Sequence, residues 1–142
     1  MTAPLTFVHG DVSALPFPDG HFDAIGISFA FRNLTYNNPL TEKYLREIVR
    51  VIKPGGRFVI VESSQPPHSF IRAVSHFYLR VFVKNIGVWI SGNRPAYTYL
   101  AESARRFYTA EELADLLAGA GFSRVSFKRL FFGAAAIHIA IK

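Results

Sequence analysis

The side chains best able to do chemistry in this sequence lie beside two apolar runs. Asp11 follows Gly10 after the first run, where its carboxylate can accept a hydrogen bond from an N–H donor or cap a turn. Arg32 and Asn33 follow the second run. Because ligands of open α/β sheets bind at the carboxyl ends of the strands, we expect this pair at a ligand-binding edge. The alternative is that Arg32 caps a loop or pairs with Glu62.

Other kinds of catalytic centre are not expected. The 142 residues include no cysteine, which excludes a thiol nucleophile, a disulfide and a cysteine-ligated zinc ion. The five histidines lack the spacing of metal ligands, so no metal site is expected. His138 lies in an apolar run, which is more typical of a core histidine than of a catalytic base.

The size and composition are those of one domain. A chain of 142 residues, half of them hydrophobic, can bury one core, so residues 1–142 are expected to form a single domain. No apolar run approaches the ~20 residues of a membrane-spanning helix, and the first residues do not resemble a secretory signal, which favours a cytoplasmic location. The net charge of +6 favours anionic partners, but the lack of a basic run or zinc signature argues against nucleic acid.

The first half of the chain has the pattern of a strand–helix–strand unit. Residues 5–8 form a strand-like run, and the nearly continuous apolarity of residues 22–31 predicts a strand covered on both faces. Apolar residues at helical spacing predict a helix over residues 40–52. Residues 58–62 predict a second buried strand, and the short connections imply that it runs parallel to the first.

Polar and glycine-containing segments predict the ends of that helix. Asn37 or Asn38 is a suitable N-cap, and Pro39 fits the first turn. At the other end, Lys53-Pro54-Gly55-Gly56 is expected to end the helix, since proline cannot continue the hydrogen-bond ladder and glycine tolerates a positive φ.

The last third of the chain predicts helices followed by a hairpin. Residues 97–106 are expected to form a short helix, and Thr109 with Glu112 forms a capping box for a helix that ends at Gly119 or Gly121. Two closing strands are expected at Val125–Phe132 and Ala135–Ile141. Gly133 is expected in the hairpin turn between them.

Two blocks of sequence carry a resemblance to a known fold. Gly10-Asp11-Val12, followed by residues 15–19 and Phe22-Asp23, resembles the middle motif of class I S-adenosylmethionine (SAM) methyltransferases. Residues 51–57, which lead into a strand, resemble their later motif. The order and separation of the two blocks imply an α/β, Rossmann-like SAM-dependent methyltransferase fold.

Four further segments are similar to the UbiE-type C-methyltransferases. These enzymes methylate a ring carbon of a polyprenylated benzoquinol or naphthoquinol in ubiquinone or menaquinone biosynthesis. The similar segments are residues 28–34, 62–66, 97–103 and 133–142, so the resemblance spans essentially the whole chain. It implies a transferase that uses SAM as methyl donor and a lipophilic quinol as substrate.

The resemblance also implies roles for individual residues. Asp11 would accept a hydrogen bond from the adenine amino group of SAM, with Val12 and Phe29 also at the cofactor. Methylation at a ring carbon is favoured by loss of the phenol proton. Arg32 would stabilise the phenolate or orient a water that accepts the proton, with Asn33 beside it. The residues expected to contact the quinol are Tyr97, Tyr99 and His138, for which ordinary packing is the competing explanation.

Residues 69–86 predict a second amphipathic helix. Its apolar face is expected to carry Phe70, Val74, Phe77, Tyr78, Val81 and Phe82. Its opposite face repeats a basic residue every fourth position: Arg72, His76, Arg80 and Lys84. In a quinol methyltransferase the aromatic face could line a prenyl channel while the basic stripe contacts lipid headgroups at a membrane surface. An ordinary helix packed on the sheet has the same pattern.

The resemblance covers the C-terminal portion of the family's domain. The Gly-rich loop after the family's first strand, and the acidic residue after its second, have no counterpart before Gly10. The fold is therefore expected to be incomplete in a sheet whose family order is third, second, first, fourth, fifth, seventh, sixth. Residues 24–29 would form an open apolar edge, which favours a homo-oligomer or a complementing chain. The sequence fits a fragment, a truncated gene product or half of a split enzyme.

Three alternative functions compete with this interpretation. One is methyl transfer to another small molecule, which turnover of a soluble phenol would reveal. Another is a non-catalytic module that binds a partner chain or a lipophilic ligand. The missing loop supports this module, and the retention of Asp11, Arg32 and Asn33 opposes it. A nucleic-acid methyltransferase or binder is motivated by charge alone and would bind in a salt-dependent manner.

Overall fold

The computed structural model describes residues 4–142, without the side chain of Lys84. One sheet has the strand order β1-β2-β4-β3. β1 and β2 are parallel, and β4 pairs antiparallel with both β2 and β3. This order matches the expected fourth, fifth, seventh and sixth strands, so the predicted α/β sheet is confirmed. The strands are β1 (Phe22–Ser28), β2 (Ile52–Ser63), β3 (Arg124–Leu130) and β4 (Ala135–Ile141).

Six α-helices connect and cover these strands within residues 4–142. They are α1 (Phe31–Thr35), α2 (Thr41–Val51), α3 (Ser69–Tyr78), α4 (Gly87–Ser91), α5 (Arg94–Arg105) and α6 (Ala110–Gly119). A π-helical segment, Leu79–Ile86, joins α3 to α4, and short 3₁₀ turns occur at Val12–Ala14 and Phe131–Gly133. The predicted capping box of α6 is confirmed: Glu112 N donates to Thr109 Oγ1 at 3.1 Å, and Thr109 N donates to Glu112 Oε2 at 2.8 Å.

One apolar core holds the sheet and helices together. Phe58 of β2 lies at its centre, with its ring 5.7 Å from that of Phe31 in α1 and 5.9 Å from that of Phe122. Leu113 and Leu117 of α6 are also fully buried in this cluster. Burial of such side chains stabilises a fold by about 1.5–3 kcal/mol each, so the core fixes the carboxyl ends of β1 and β2.

The start of β2 differs from the prediction. Helix α2 ends at Val51, and the Lys53–Gly56 segment lies within the strand rather than between helix and strand. Glycine is required here because a Cβ on Gly56 would lie 2.7 Å from Ile52 Cγ2 and 3.0 Å from Asp23 O. This close approach coincides with a register shift in the β1–β2 pairing between Phe22 and Ala24.

The predicted strand at residues 5–8 is wrong. These residues form no strand, and Leu5 and Phe7 are almost fully exposed. A strand needs a neighbour for its backbone N–H and C=O groups, and no strand in the described part of the chain pairs with this run.

The second apolar run also differs in part from its prediction. Residues 22–28 form the strand β1, whereas Phe31 begins α1. Ala24, Gly26 and Ser28 are exposed, so β1 is not covered on both faces. β1 is also an edge strand of the sheet, which confirms the predicted open edge at residues 24–29.

The start of α2 lies later than predicted. Leu40 occupies the N-cap position without a capping side chain, so Pro39 lies outside the helix. Asn38 Oδ1 instead accepts a hydrogen bond from Leu40 N at 3.0 Å, which is the geometry of an Asx turn. The Asn38 side chain therefore stabilises the turn before α2 and does not cap the helix itself.

The orientation of α3 is the largest difference from the sequence-based prediction. Its aromatic face is exposed rather than packed on the sheet, with Phe70 78% and Phe77 60% exposed. Two members of the predicted lipid-facing basic stripe contact the protein instead. Arg72 Nε donates to Pro66 O at 2.8 Å, and His76 Nε2 lies 2.8 Å from Gln65 Oε1. Lys84, another member, lies outside the described side chains.

Candidate active site

The carboxyl ends of β1 and β2 lie side by side and carry the candidate site. Phe29, the first residue after β1, donates its backbone N–H to Val61 O at 2.8 Å. Its φ is +49°, a left-handed conformation that costs energy for an aromatic residue. The strained turn leaves the Phe29 side chain half exposed at the sheet edge and directs the chain into α1.

Arg32 and Glu62 form a buried ion pair at this edge. Arg32 Nη1 donates to Glu62 Oε1 at 2.7 Å, and Arg32 N donates to Glu62 Oε2 at 3.3 Å. Glu62 Oε1 also accepts from Ser63 N at 2.8 Å. The predicted alternative, pairing of Arg32 with Glu62, is therefore confirmed. The pair leaves one donor of the guanidinium without a hydrogen bond, because the buried Arg32 Nε–H has no acceptor among the described residues.

The structure brings together Asn33, which was predicted as a catalytic residue, and Tyr99, which was predicted as a quinol contact. Tyr99 of α5 donates its hydroxyl to Asn33 Oδ1 at 3.4 Å, a long hydrogen bond. The Tyr99 ring also lies edge-on to that of Tyr36, with 6.3 Å between the centroids. Helix α5 thus lies beside α1, and both Asn33 and Tyr99 remain exposed at the site.

Tyr97 has a different environment from Tyr99. Its ring lies against Gly87 at the start of α4, where an added Cβ would overlap the Tyr97 ring. The side chain is half-buried in this contact. The structure therefore places Tyr97 between helices and away from the Asn33–Tyr99 pair, where it holds α4 and α5 together.

Asp11 lies in an open cavity of about 590 Å³ next to α1. Its Oδ1 accepts a hydrogen bond from Ser13 N at 2.7 Å, and this bond lowers the pKa of the Asp11 carboxyl. The Asp11 carboxylate is exposed at this cavity, so it can accept a further hydrogen bond from an external N–H group. Val12 and Leu34 add apolar walls to the cavity. A carboxylate acceptor between apolar walls fits the adenine end of SAM.

Helix α1 connects this cavity to the Arg32 region. Leu34 lines the Asp11 cavity, while Arg32 and Asn33 precede it in the same five-residue helix. The two predicted groups, one for the cofactor and one for the substrate, are therefore linked through α1.

His138 is not brought into this group. It is 1% exposed, its Nε2 lies 2.8 Å from Ala110 O, and its ring lies 5.4 Å from that of Phe127. Burial lowers the pKa of His138, which favours the neutral imidazole. These are the contacts of a core histidine that holds the start of α6 on the sheet.

Sequence reasoning missed the contribution of Tyr36 and treated Glu62 only as a competing partner of Arg32. Tyr36 lies three residues after Asn33, so helical spacing could have placed the two on one face. Glu62 lies at the end of the strand that pairs with β1, and a carboxylate there is a natural partner for a buried arginine.

Comparison with known proteins assigns the family. A model of the ubiE/COQ5 methyltransferase family matches residues 2–142. A demethylmenaquinone methyltransferase of Thermus thermophilus is 45% identical over 94% of this chain and 58% of its own length. A ubiquinone/menaquinone biosynthesis C-methyltransferase UbiE of Azotobacter vinelandii is 40% identical over 96% of this chain and 52% of its own length. The chain therefore spans little more than half the length of these curated relatives.

Solved structures agree on the fold. A SAM-dependent methyltransferase of Thermotoga maritima superposes with a TM-score of 0.60 at 21% identity, over 94% of this chain and 62% of the other. A SAM-dependent methyltransferase of Aquifex aeolicus superposes with a TM-score of 0.55 at 20% identity, over 96% of this chain and 53% of the other. The sheet order, the motifs around Asp11 and Arg32 and the family match agree, and the chain belongs to the ubiE/COQ5 methyltransferase family.

Proposed function

We propose that this chain carries the substrate-binding side of a SAM-dependent C-methyltransferase that acts on a ring carbon of a polyprenylated quinol. The demethylmenaquinone methyltransferase and the ubiquinone/menaquinone biosynthesis C-methyltransferase among the relatives support this substrate class. The observation that carries the proposal is the buried Arg32 guanidinium, whose Nε–H lacks an acceptor beside the exposed Asn33 and Tyr99.

Arg32 acts on the quinol oxygen. When bound, SAM supplies an electrophilic methyl group on a sulfonium centre. The ring carbon reacts fastest when the neighbouring hydroxyl is ionised. The positive charge of the guanidinium stabilises that phenolate, or the guanidinium orients the water that takes up the proton. The pair with Glu62 fixes the guanidinium in place, and Asn33 adds an amide beside it.

Asp11, Val12 and Phe29 are the proposed cofactor contacts. Asp11 Oδ2 accepts the adenine amino group, and Val12 packs against the ring from the wall of the cavity. Phe29, the exposed first residue after β1, is the third proposed contact. Residues for the methionine and ribose parts of SAM are not assigned in this chain.

Tyr99 is the proposed quinol contact on α5, because its ring is exposed beside Asn33. Tyr97 acts indirectly by holding α4 against α5. His138 supports the sheet beneath α6, and direct contact with the substrate would require it to leave its bond to Ala110 O. Of the three predicted substrate residues, the proposal therefore rests on Tyr99.

A second chain, either a copy or a complementing polypeptide, is proposed at the edge of β1. An apolar cavity of about 350 Å³ lies beside this strand and includes Leu15, Phe22, Ile25 and Leu34. Unpaired backbone groups next to an apolar cavity favour addition of another strand.

Methyl transfer from labelled SAM tests the proposed function. The chain is assayed alone and mixed with the N-terminal half of the Thermus thermophilus relative, using a prenylated naphthoquinol and a soluble naphthol. We expect label on a ring carbon of the prenylated quinol in at least one arrangement. Arg32→Ala should lower the rate about 100-fold. Arg46→Ala, which removes an exposed arginine paired with Glu42, is the matched control. Transfer to oxygen, or no transfer in either arrangement, would contradict the proposal.

A further inference from the structure

The loop that follows Asp11 is hydrogen-bonded to α2 through one arginine. All five N–H groups of the Arg50 guanidinium donate hydrogen bonds, and three of them go to residues 15–19, which we call the proline loop. These residues lie 31 to 35 positions from Arg50 in the sequence. The three acceptors in the loop are Leu15 O at 3.1 Å, Phe17 O at 2.9 Å and Asp19 Oδ1 at 2.8 Å.

Glu47 completes this network one helical turn before Arg50. Its carboxylate accepts the other two bonds of the guanidinium, at 2.8 Å each, and a third bond from Leu15 N at 2.9 Å. The bonds from Arg50 and Leu15 lower the pKa of Glu47 to about 2, so the carboxylate stays ionised at neutral pH. The two-pronged pairing fixes the plane of the guanidinium, which a single-contact surface ion pair does not do.

The composition of the proline loop explains why it needs a donor from elsewhere. Pro16 and Pro18 have no backbone N–H, so the loop cannot pair as a strand, while its carbonyl groups still require hydrogen bonds. Arg50 supplies them. The end of α2 also accepts the first two N–H groups after the loop: Gly20 N donates to Arg50 O at 2.9 Å, and His21 N donates to Val51 O at 2.7 Å.

The network reaches Asp11 by two routes. Leu15, which donates to Glu47, is the C-cap of the 3₁₀ turn whose N-cap is Asp11. Pro16 lies against Gly10, where an added Cβ would be 3.2 Å from Pro16 Cδ. The chain is therefore held on both sides of the Asp11 carboxylate.

Arg50 acts on the Asp11 cavity from outside it. Of the cavity-lining residues in the part of the chain that the structure describes, α2 contributes Tyr44 and neither Glu47 nor Arg50. An effect of Arg50 on a molecule in the cavity must therefore pass through the position of the turn, residues 11–15.

We propose that Arg50 is a positioning residue for the SAM site: together with Glu47 it fixes the turn at residues 11–15 so that Asp11 meets the adenine amino group. A turn that is ordered before binding loses less conformational freedom when the cofactor arrives, so affinity depends on a side chain that does not touch SAM. This inference rests on the proposed function, in which Asp11 is the adenine contact.

Two readouts on the 142-residue chain test the proposal. Hydrogen exchange of residues 12–15 measures the order of the turn without a ligand, and calorimetric titration with S-adenosylhomocysteine measures the affinity of the site. For Arg50→Ala we expect faster exchange in the turn and about tenfold weaker binding, because the contact group is displaced. Arg50→Lys keeps the charge but has three donors instead of five, so both readouts should be intermediate. It supplies the same comparison if Arg50→Ala does not fold.

Matched variants separate positioning from a general loss of stability. Arg46→Ala removes an exposed arginine one turn earlier in α2, paired with Glu42, and should change neither readout. Val125→Ala removes two methyl groups packed against the core in β3, at the opposite edge of the sheet from β1. It should lower the midpoint of urea denaturation and leave the affinity unchanged.

Three outcomes would overturn the positioning role. Unchanged exchange in Arg50→Ala is one, and faster exchange with unchanged affinity is another; both leave the cofactor site in place. The third is an equal loss of affinity in Arg50→Ala and Val125→Ala, which would make the role merely structural. If the unchanged chain shows a protected turn but does not bind S-adenosylhomocysteine, the proposed cofactor site fails and the positioning role fails with it. The exchange data distinguish that failure from the others.

Discussion

Arg32 Nη1 lies 2.7 Å from Glu62 Oε1 across the carboxyl ends of the two parallel strands. Both side chains are at least nine-tenths buried, and Glu62 also accepts the backbone N–H groups of Arg32 and Ser63. The carboxylate therefore holds both the side chain and the backbone at the start of α1. The same guanidinium keeps a buried Nε–H that has no acceptor among the described residues.

The first prediction concerns this ion pair. Glu62→Gln should lower the free energy of unfolding by about 3–5 kcal/mol, because it leaves a buried, unpaired guanidinium. Urea denaturation measures the change. The control is Asp23→Asn, which breaks the exposed Lys53–Asp23 pair at the same 2.7 Å distance and should have a much smaller effect.

Equal losses for the buried and exposed pairs would contradict that reasoning. An Arg32→Met, Glu62→Met double variant adds a second check. Replacing both charges by apolar side chains should recover much of the stability lost in Glu62→Gln.

The second prediction concerns the contact between Gly87 and Tyr97. Gly87→Ala should destabilise the packing of α4 on α5 by about 1–3 kcal/mol, since its methyl group has no room beside the ring. Hydrogen exchange of residues 79–105 should become faster. The matched control is Gly119→Ala in α6, where no atom lies within 4 Å of the added methyl.

A second substitution that makes room for the added methyl group tests the Gly87–Tyr97 contact directly. Adding Tyr97→Ser to Gly87→Ala makes room for the methyl group and should restore part of the protection. If Gly87→Ala behaves like Gly119→Ala, the contact does not hold the two helices together.

The third prediction concerns pH. Burial holds the pKa of His138 below 6.5, so the unfolded chain binds this proton more readily than the folded one. The stabilisation is fully present above the unfolded pKa and is lost as the pH falls below about 6.5 toward the folded pKa. His138→Gln, which keeps a side-chain N–H for Ala110 O, should flatten the dependence of the unfolding free energy between pH 7 and 5.

The control for the pH experiment is His9→Gln, which removes an exposed imidazole. Glu47 does not interfere in this range, because hydrogen bonds from Arg50 and Leu15 lower its pKa to about 2. An unchanged slope in His138→Gln would show that the buried imidazole does not titrate with unfolding.

Local patterns predicted much of the fold. The capping box at Thr109 and Glu112 depends on residues three apart, and it forms as expected. The sheet order followed from the motifs around Asp11 and residues 51–57, because these motifs resemble a fold whose topology is known. Each of these features depends on neighbouring residues or on a recognised pattern.

Features that depend on distant contacts were not predictable in the same way. The aromatic residues of α3 have the spacing of a buried face, but bonds from Arg72 and His76 to residues 65 and 66 direct the other side inward. Similarly, Tyr99 lies beside Asn33, 66 positions away, because the fold brings α5 within hydrogen-bonding reach of α1. Periodicity identifies a face, whereas tertiary hydrogen bonds decide which way it points.

The central claim is that Asp11 marks a SAM site adjoining Arg32 and Asn33. Calorimetric titration of the 142-residue chain with S-adenosylhomocysteine tests it most directly. We predict saturable binding that Asp11→Ala weakens at least tenfold, the equivalent of about 1.4 kcal/mol, while Asp115→Ala on the exposed side of α6 leaves it unchanged. No binding by the folded chain, or binding indifferent to Asp11, would contradict the account.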